Sequence, residues 1–337
     1  MDYDKYMKKC IELAKGGEGQ TSPNPLVGCV VLDKDGNEIS TGFHHKYGEN
    51  HAERDALLKL TKEEEKGGTL IVNLEPCSHH GKTPPCADLI IERGLKRVVI
   101  GMQDVNPIVA GNGIKRLKDA GIEVVEHVLE DECKILNEVF IKNMTQKKVF
   151  IAIKTATTLD GKIATQNGSS KWITSEKARE EVKVIRNRYD AIMTSSATIL
   201  ADNPTMLHRK KIILDRKLRT NLEAPIYKNG EIYLFNDSLD MFEGGVNFIK
   251  TPVHDDKLDL EFIFNKAYEL GIKSILVESG GHLAGSGLKY ADKIYHFIAP
   301  KITGDNSSLS CFDFQQIDDI NKSLNFKFSD IKSFEPD

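Results

Sequence analysis

The sequence predicts an α/β protein with two domains, each built around a largely parallel sheet. The chain has 337 residues, and at roughly 150 residues per domain this length suggests about two domains. Short apolar runs typical of buried strands alternate with amphipathic stretches typical of helices. A polar segment at residues 144–148 separates two such series, so we place the domains at residues 1–146 and 147–337.

The pattern of the first domain predicts five helices and five strands. Apolar residues three and four positions apart indicate helices over residues 2–14, 49–60, 87–93, 113–120 and 130–142. Short apolar runs indicate strands over residues 26–32, 38–42, 69–74, 97–102 and 123–126. Asp35 and Gly36 are typical of a hairpin turn between the first two strands, and Gly121 is a stop signal for the fourth helix.

The second domain shows the same alternation. Strands are predicted over residues 149–156, 191–194, 211–214, 231–235, 246–249, 274–277 and 293–299. Helices are predicted over residues 176–188, 258–270 and 282–289. From residue 307 onward the pattern is weak, and we predict no element there.

Composition and charge exclude several classes of protein. Hydrophobic residues make up 40% and charged residues 28% of the chain, which is ordinary for a soluble globular protein. No apolar stretch approaches the roughly 20 residues of a membrane-spanning helix, and the first residues lack the pattern of a secretory signal. The net charge of −4 comes without a basic patch, so we expect a cytoplasmic protein that binds neither membranes nor nucleic acid.

The strongest chemical pattern of the first domain is His51 followed by Cys77 and Cys86. Imidazole nitrogen and thiolate sulfur are ligands that Zn²⁺ prefers, and three protein ligands leave one position open, as in catalytic zinc sites. Glu53 lies two residues after His51 and is the candidate for moving protons. This order of residues is the zinc deaminase signature, although eight residues separate the two cysteines where the generic form has two.

A structural zinc site is the alternative interpretation of these residues. The spacing between Cys77 and His79 would allow His79 or His80 to be a fourth ligand. Glu53 would then have no role. Otherwise both histidines are loop residues close to the substrate.

Three motifs carry a resemblance to a known family. The stretches PNPLVG (23–28), GFHHKYGENHAE (42–53) and EPCSHHGKTPPC (75–86) resemble the deaminase half of the bifunctional deaminase–reductases of riboflavin biosynthesis. The stretch QDVNPIVAGNGI (103–114) is also similar to the family, with Val105 where a proline is usual. The resemblance implies a cytidine-deaminase-like, three-layer α/β/α domain that holds one Zn²⁺ per chain.

The same resemblance implies the substrate of the first domain. This is a phosphorylated pyrimidine, 2,5-diamino-6-ribosylamino-4(3H)-pyrimidinone 5′-phosphate, which loses its ring 2-amino group as ammonia. We expect Asn24 to hydrogen-bond the ribose or base, His44 to lie beside the substrate, and Lys82 to meet the phosphate. The structural alternatives are a plain turn residue for Asn24 and a solvated surface lysine for Lys82.

The second domain has no G-x-G-x-x-G motif after a first strand and no Walker loop, so we do not expect a standard Rossmann domain. The stretch VESGGHLAGSGL (277–288) predicts a buried strand, a glycine turn and a helix. Backbone N–H groups at such a helix start can hold a phosphate. Glycine-rich helix starts are also common for purely structural reasons.

Further motifs resemble the reductase half of the same family, which implies a dihydrofolate-reductase-like domain that uses NADPH to reduce a ribosyl group to ribityl. They are TATTLDGKIA (155–164), SSKWITS (169–175) and SSATILADNPTMLHR (195–209). The resemblance assigns to the NADPH side Ala156, Trp172, Thr198, Asp202, Gly280, Gly281, His282, Leu283, Ala284, Gly285 and Ser286. It assigns to the substrate side Ser170, Arg186, Met206, Arg209 and Glu278.

The chemistry of these residue types agrees with the assignment in outline. Arg186 and Arg209 could clamp a ribose phosphate with bidentate hydrogen bonds. The strand that starts at Lys211 follows Arg209 more closely than is usual in the family, which shortens the predicted substrate rim.

The sequence therefore predicts a bifunctional enzyme of riboflavin biosynthesis, and the family suggests a homo-oligomer. A monofunctional deaminase with a non-catalytic second domain is the alternative. A deaminase of nucleic-acid bases is a further alternative, which the long cysteine loop and the absence of a basic stripe oppose.

Overall fold

The computed structural model of the chain describes residues 2–79, 84–107, 110–314 and 317–335. The chain divides into two compact units, Met1–Lys147 and Lys148–Asp337. Within the described residues, no helix is long and apolar enough to cross a membrane.

The first unit is built around a five-stranded sheet with the order β2-β1-β3-β4-β5. Its strands are β1 (Gly28–Leu32), β2 (Glu38–Phe43), β3 (Thr69–Leu74), β4 (Arg97–Met102) and β5 (Glu123–Val125). Its helices are α1 (Tyr3–Ala14), α2 (Ala52–Leu57), α3 (Lys62–Glu65), α4 (Cys86–Glu92), α5 (Asn112–Asp119), α6 (Glu130–Leu136) and α7 (Glu138–Gln146). β1 and β3 are buried along their whole length, and residues of α1, α2, α4, α5 and α6 complete one core with the strands.

Part of this sheet is antiparallel. β1 pairs antiparallel with both β2 and β3, while β3, β4 and β5 are parallel. A hairpin that returns on itself must be antiparallel, so the predicted turn at Asp35 and Gly36 accounts for the orientation of β2. The carboxyl ends of β3 and β4 lie at one edge of the sheet, where ligands of open α/β sheets usually bind.

Asn137 divides the helix that the sequence predicts over residues 130–142. It lies between α6 and α7 with a backbone φ of −105° and ψ of 20°. Its side-chain oxygen accepts a hydrogen bond from the Leu26 N–H at 2.8 Å, and its amide donates to the Leu26 carbonyl at 3.0 Å. Asn73 donates to the same carbonyl and accepts from the Gly28 N–H. The two asparagines thus hold the segment that leads into β1.

The second unit is built around an eight-stranded sheet with the order β11-β12-β10-β9-β8-β15-β6-β16. Every neighbouring pair is parallel except β11 with β12. The strands of this sheet are β6 (Phe150–Thr158), β8 (Ala191–Ser195), β9 (Lys210–Leu214), β10 (Glu231–Asn236), β11 (Met241–Glu243), β12 (Val246–Lys250), β15 (Ser274–Glu278) and β16 (Lys293–Ala299). The helices are α8 (Glu176–Asn187), α9 (Ser196–Asp202), α10 (Leu260–Glu269) and α11 (Gly281–Gly287).

Two small two-stranded antiparallel sheets complete this unit. They pair β13 (Val253–His254) with β14 (Lys257–Leu258), and β17 (Leu309–Ser310) with β7 (Lys162–Ala164). These four strands, β11 and α9 are absent from the sequence prediction. The five strands have only two or three residues each, too few to show a periodicity. The main strands and the helices α8, α10 and α11 lie where the sequence predicts them, within a few residues at their ends.

Candidate active sites

His51, Cys77 and Cys86 come together in the first unit from three separate elements. His51 is the N-cap of α2, with an extended backbone (φ −69°, ψ 162°), so the predicted helix over residues 49–60 begins only after it. Cys77 follows β3, and Cys86 is the first residue of α4. The His51 Nδ1 atom lies 3.6 Å from the Cys77 sulfur and 3.5 Å from the Cys86 sulfur.

The separations of these ligand atoms fit a zinc ion. Zinc–nitrogen bonds of about 2.0–2.1 Å and zinc–sulfur bonds of about 2.3 Å at tetrahedral angles place nitrogen and sulfur about 3.5 Å apart. The Cys86 N–H donates to the Cys77 sulfur at 3.3 Å, which favours a thiolate there. Hydrogen bonds from Cys86 and His51 lower the pKa of Cys77, so the Cys77 thiol readily gives up its proton. The donor set and its geometry therefore suit Zn²⁺.

The described residues do not supply a fourth protein ligand to this group, which consists of His51, Cys77 and Cys86. His79 lines the adjacent cavity without joining the group, and His80 lies outside the described residues. Three protein ligands are the arrangement of catalytic zinc sites. The part of the site that the structure describes therefore favours a catalytic site.

Glu53 lies in the first turn of α2 and lines the same cavity as His51 and Cys77. Its side chain is buried, with 3% of its surface exposed. Burial raises the pKa of Glu53 to about 7. A carboxyl group of this kind can both accept and release a proton near neutral pH.

The cavity has a volume of about 310 Å³. It is lined by Pro23, Asn24, Pro25, Val27, His44, Tyr47, Gly48, Glu49, His51, Glu53, Leu74, Glu75, Cys77, His79, Asp104, Asn106, Phe140 and Met144. Asn24 and His44 are thus both placed at the cavity, as the resemblance implies, whereas Lys82 lies outside the described residues.

Asn24 and His44 are linked to each other. Burial lowers the pKa of His44, which favours a neutral imidazole. Its Nδ1 atom lies 2.9 Å from the Asn50 carbonyl, which can only accept, so Nδ1 carries the hydrogen. Nε2 then accepts from the Asn24 amide at 3.1 Å. This bond orients the Asn24 side chain.

The cavity residues that sequence reasoning did not single out include Glu75, Asp104 and Asn106. Burial raises the pKa of Asp104 to about 6. All three belong to motifs that carry the family resemblance, so the motifs were the available signal. The spacing of these three residues in the sequence does not by itself indicate a chemical role.

In the second unit, Glu278 and Arg186 form a bidentate ion pair. Glu278 is the last residue of β15, with 5% of its surface exposed. It accepts from Arg186 Nε at 2.5 Å and from Arg186 Nη2 at 2.9 Å. Lys154 on β6 places its Nζ atom 3.9 Å from the same carboxylate, and burial lowers the pKa of Lys154. Sequence reasoning missed Lys154, although it is the only charged residue in the strand predicted over residues 149–156.

The residues assigned to the reductase substrate lie in different surroundings. Glu278 engages two nitrogen atoms of Arg186, so a phosphate clamp of Arg186 and Arg209, as predicted, would share Arg186 with this carboxylate. Arg209 is exposed in the segment before β9. Met206 is buried and packs in an apolar cluster with Ile192, Ile199 and other residues. Ser170 is half-buried ahead of α8.

Several NADPH-side residues lie around the end of β15. The Gly280 N–H donates to Thr198 Oγ1 at 3.3 Å, which brings α9 to the start of α11. A Cβ atom on Gly280 would meet nothing within 4 Å, so the space beside this turn is open. The N–H groups in the first turn of α11 have no acceptor within the helix. These features fit a phosphate-bearing cofactor.

Two glycines of α11 are in close contact with the segment that contains β17. A Cβ atom on Gly281 would lie 2.3 Å from the Ser310 carbonyl oxygen, and one on Gly285 would lie 2.0 Å from that of Asp313. They are required because the segment that contains β17 packs against this helix. The sequence left both a ligand and a structural reason open for this glycine stretch, and its weakly patterned tail did not indicate which segment would pack there.

The remaining residues assigned to the NADPH side range from exposed to buried. Trp172 is 64% exposed, and the Arg179 guanidinium lies 4.4 Å from its ring centre. Asp202 is exposed at the end of α9, and Ala156 is half-buried in β6. His282 is exposed and pairs with Asp313. Leu283 and Ser286 are half-buried and Ala284 is buried.

Replacing Glu278 by glutamine is expected to lower the free energy of unfolding of the second unit by about 3 kcal/mol, because two partly buried cations lose the buried carboxylate that they share. Urea unfolding followed through Trp172, the only tryptophan of the chain, measures this. Glu180→Gln, which alters an exposed pair with Lys183 on α8, is the matched control and should shift the midpoint little. An unchanged midpoint for Glu278→Gln would show that the cluster contributes no stability.

Known families match both units. A model described as the cytidine and deoxycytidylate deaminase zinc-binding region matches residues 1–102, and one for the RibD C-terminal domain matches residues 149–337. The riboflavin biosynthesis protein RibD of Actinobacillus pleuropneumoniae is 41% identical over 340 residues, covering 96% of this chain and 90% of that protein. The chain belongs to the RibD family. It therefore carries a zinc-binding deaminase domain followed by a RibD reductase domain.

Further RibD relatives match along nearly the whole chain. The protein from Escherichia coli is 37% identical and covers 100% of this chain and 98% of its own length. The crystal structure of a diaminohydroxyphosphoribosylaminopyrimidine deaminase/5-amino-6-(5-phosphoribosylamino)uracil reductase from Thermotoga maritima has a TM-score of 0.87 and 42% identity, and covers 97% of this chain and 96% of that one. The predicted α/β fold class, with a deaminase-like domain before a reductase domain, is confirmed.

Proposed function

We propose that this chain, like its RibD relatives, catalyses two reactions of riboflavin biosynthesis. Residues 1–146 deaminate 2,5-diamino-6-ribosylamino-4(3H)-pyrimidinone 5′-phosphate. Residues 147–337 reduce the ribosyl group of the product to ribityl with NADPH. The observation that carries the proposal is the group of His51, Cys77 and Cys86, whose atoms have the spacing of zinc ligands beside the buried carboxyl of Glu53.

The first reaction follows from the residues around the cavity. Zinc held by His51, Cys77 and Cys86 would lower the pKa of a water molecule and so supply the nucleophile. Glu53 takes up a proton at its carboxylate and delivers it to the departing amino nitrogen, which leaves as ammonia. The burial of the Glu53 side chain limits competing water around this carboxyl. Asn24 hydrogen-bonds the ribose or base, His44 lies beside the substrate, and Lys82 meets the phosphate.

The second reaction is a hydride transfer from NADPH to the ribosyl carbon. Glu278, Arg186 and Lys154 offer one carboxylate and two cations close together, and we assign Glu278 and Arg186 to the substrate with Ser170, Met206 and Arg209. The start of α11 holds the phosphates of NADPH, with Thr198 beside Gly280. Trp172 offers an exposed flat face to the cofactor.

The proposal is tested by supplying the diamino substrate to the zinc-loaded full chain. Ammonia release is measured first, and NADPH oxidation at 340 nm is then measured with the deaminated product. Both activities are expected. Ammonia release without any NADPH oxidation would instead support a monofunctional deaminase, and no ammonia release by the zinc-loaded chain would contradict the proposal.

The reductase domain is expected to prefer NADPH to NADH. The physical reason is that the 2′-phosphate of NADPH adds charge-assisted hydrogen bonds that NADH cannot make. Steady-state kinetics with the deaminated product gives kcat/KM for each cofactor. A ratio above about 10 is expected from the loss of one such interaction, and equal values would contradict the preference.

We also propose that the chain forms a homo-oligomer in the cytoplasm. Exposed apolar side chains near the C-terminal end support an association surface: Ile320, Phe328 and Ile331 are 81%, 92% and 81% exposed. Light scattering of the purified chain tests this, and a monomeric mass at micromolar concentration would contradict it.

A further inference from the structure

Glu75 is a buried carboxylate at the carboxyl end of β3, immediately before Pro76 and the ligand Cys77. Its exposed fraction is 3%. One oxygen, Oε1, accepts from the backbone N–H groups of Gly113 at 2.9 Å and Ile114 at 3.1 Å. The other, Oε2, accepts from those of Asp104 at 3.1 Å and Gly111 at 3.0 Å.

The two oxygen atoms serve two different parts of the unit. Gly113 and Ile114 lie in the first turn of α5, where N–H groups have no acceptor within the helix and a negative charge is favourable. Asp104 lines the cavity, and its carboxylate accepts from the N–H of Asn106, another lining residue, at 2.8 Å. Glu75 therefore joins the rim of the cavity to the start of a helix.

α5 is also attached to the segment between the two cysteine ligands. Arg116 donates to the Ser78 carbonyl at 3.2 Å and pairs with Asp88 of α4 at 2.6 Å. A Cβ atom on Gly113 would lie 2.0 Å from the Pro76 carbonyl oxygen, so helix and loop are in direct contact. The position of Asp104 relative to Cys77 is thus set through Glu75.

We propose that Glu75 is a positioning residue for deamination, which fixes Asp104 and Asn106 against the bound pyrimidine. This inference rests on the proposed deaminase function. A carboxylate is the group that can accept four N–H bonds, two on each oxygen. Glutamine has the same shape, but its NH₂ group cannot accept hydrogen bonds. The two N–H groups bound by one oxygen of Glu75, either those of α5 or those of Asp104 and Gly111, would lose their acceptor.

The test uses the zinc-loaded full chain with Glu75→Gln. The KM for the diamino substrate is expected to rise about tenfold, as for the loss of one well-placed polar contact, with kcat within about threefold. Zinc content should stay at one per chain, because the three ligands are unchanged. Glu123→Gln, which alters an exposed pair with Arg97 in the same unit, is the matched control and should leave KM unchanged.

A double-mutant cycle with Asp104→Asn separates positioning from general stability. If Glu75 acts through Asp104, Glu75→Gln should raise KM much less in the Asp104→Asn chain than in the parent. Substrate binding measured by calorimetry in a Glu53→Ala background provides the same comparison without turnover. Additive effects, an unchanged KM or loss of zinc would each overturn the inference.

Two precautions keep the outcome decisive. Ammonia release by the parent chain is established first, so a parent without activity contradicts the proposed function and not the role of Glu75. Glu75→Asp retains the charge with a shorter reach, and it replaces Glu75→Gln in the cycle if the latter fails to fold. Coupling to Asp104 is expected there as well.

Discussion

Replacing Glu53 by alanine is expected to reduce ammonia release by about 10²–10⁴-fold, the usual contribution of a general acid–base group. The carboxyl is buried in the wall of the cavity that also contains His51 and Cys77, so few water molecules could replace it. Ammonia release under saturating substrate measures the loss in kcat. Elemental analysis should still find one zinc per chain, since Glu53 is not among the ligands.

The second domain provides an internal control for this variant. NADPH oxidation with product supplied already deaminated should stay within about threefold of the parent, because Glu53 lies in the first unit and no residue assigned to the reductase site is changed. If Glu53→Ala abolished both activities in a folded, zinc-loaded chain, the two reactions would have to share a site. The assignment of one reaction to each domain would then be wrong.

Replacing Cys86 by serine is expected to weaken zinc binding by more than about 100-fold, since removing even an outer partner of a zinc ligand typically costs 10–100-fold. The Cys86 sulfur lies 3.5 Å from His51 Nδ1 and forms one edge of the ligand group. A serine hydroxyl is shorter and does not supply a thiolate. Competition with a chelator, followed by elemental analysis, measures the affinity, and ammonia release should be lost with the metal.

Cys311→Ser is the matched control for this variant. Cys311 is a half-buried free cysteine of the second unit, so its loss should leave zinc content at one per chain. NADPH oxidation should persist in the Cys86→Ser chain. Full zinc retention in Cys86→Ser would show that Cys86 is not a ligand.

The chemistry of the first site could be predicted from the sequence because its residue types carry the information themselves. Two cysteines and a histidine offer zinc ligands, and Glu53 stands two residues from the histidine. Long motifs also identified the family, which the comparisons confirm. The alternation of strands and helices predicted the fold class, since these periodicities are local.

Other features of the two sites depend on contacts between residues far apart in the chain. Glu278 pairs with Arg186, a residue 92 positions away. The sequence predicted only a phosphate as the partner of Arg186, because it does not show which distant residues meet. Glu75 binds N–H groups 29 to 39 residues further along. Backbone donors have no signature in the sequence, because every residue except proline carries one.

The sequence by itself determined the fold class, the family and the identity of the candidate zinc ligands and acid–base group. The tertiary structure decided the break at Asn137, the packing reason for Gly281 and Gly285, and the partners of Arg186 and Glu75. The physical reason is that periodicity and ligand type are properties of short segments. Hydrogen bonds and close packing between distant segments arise only when the sheets bring those segments together.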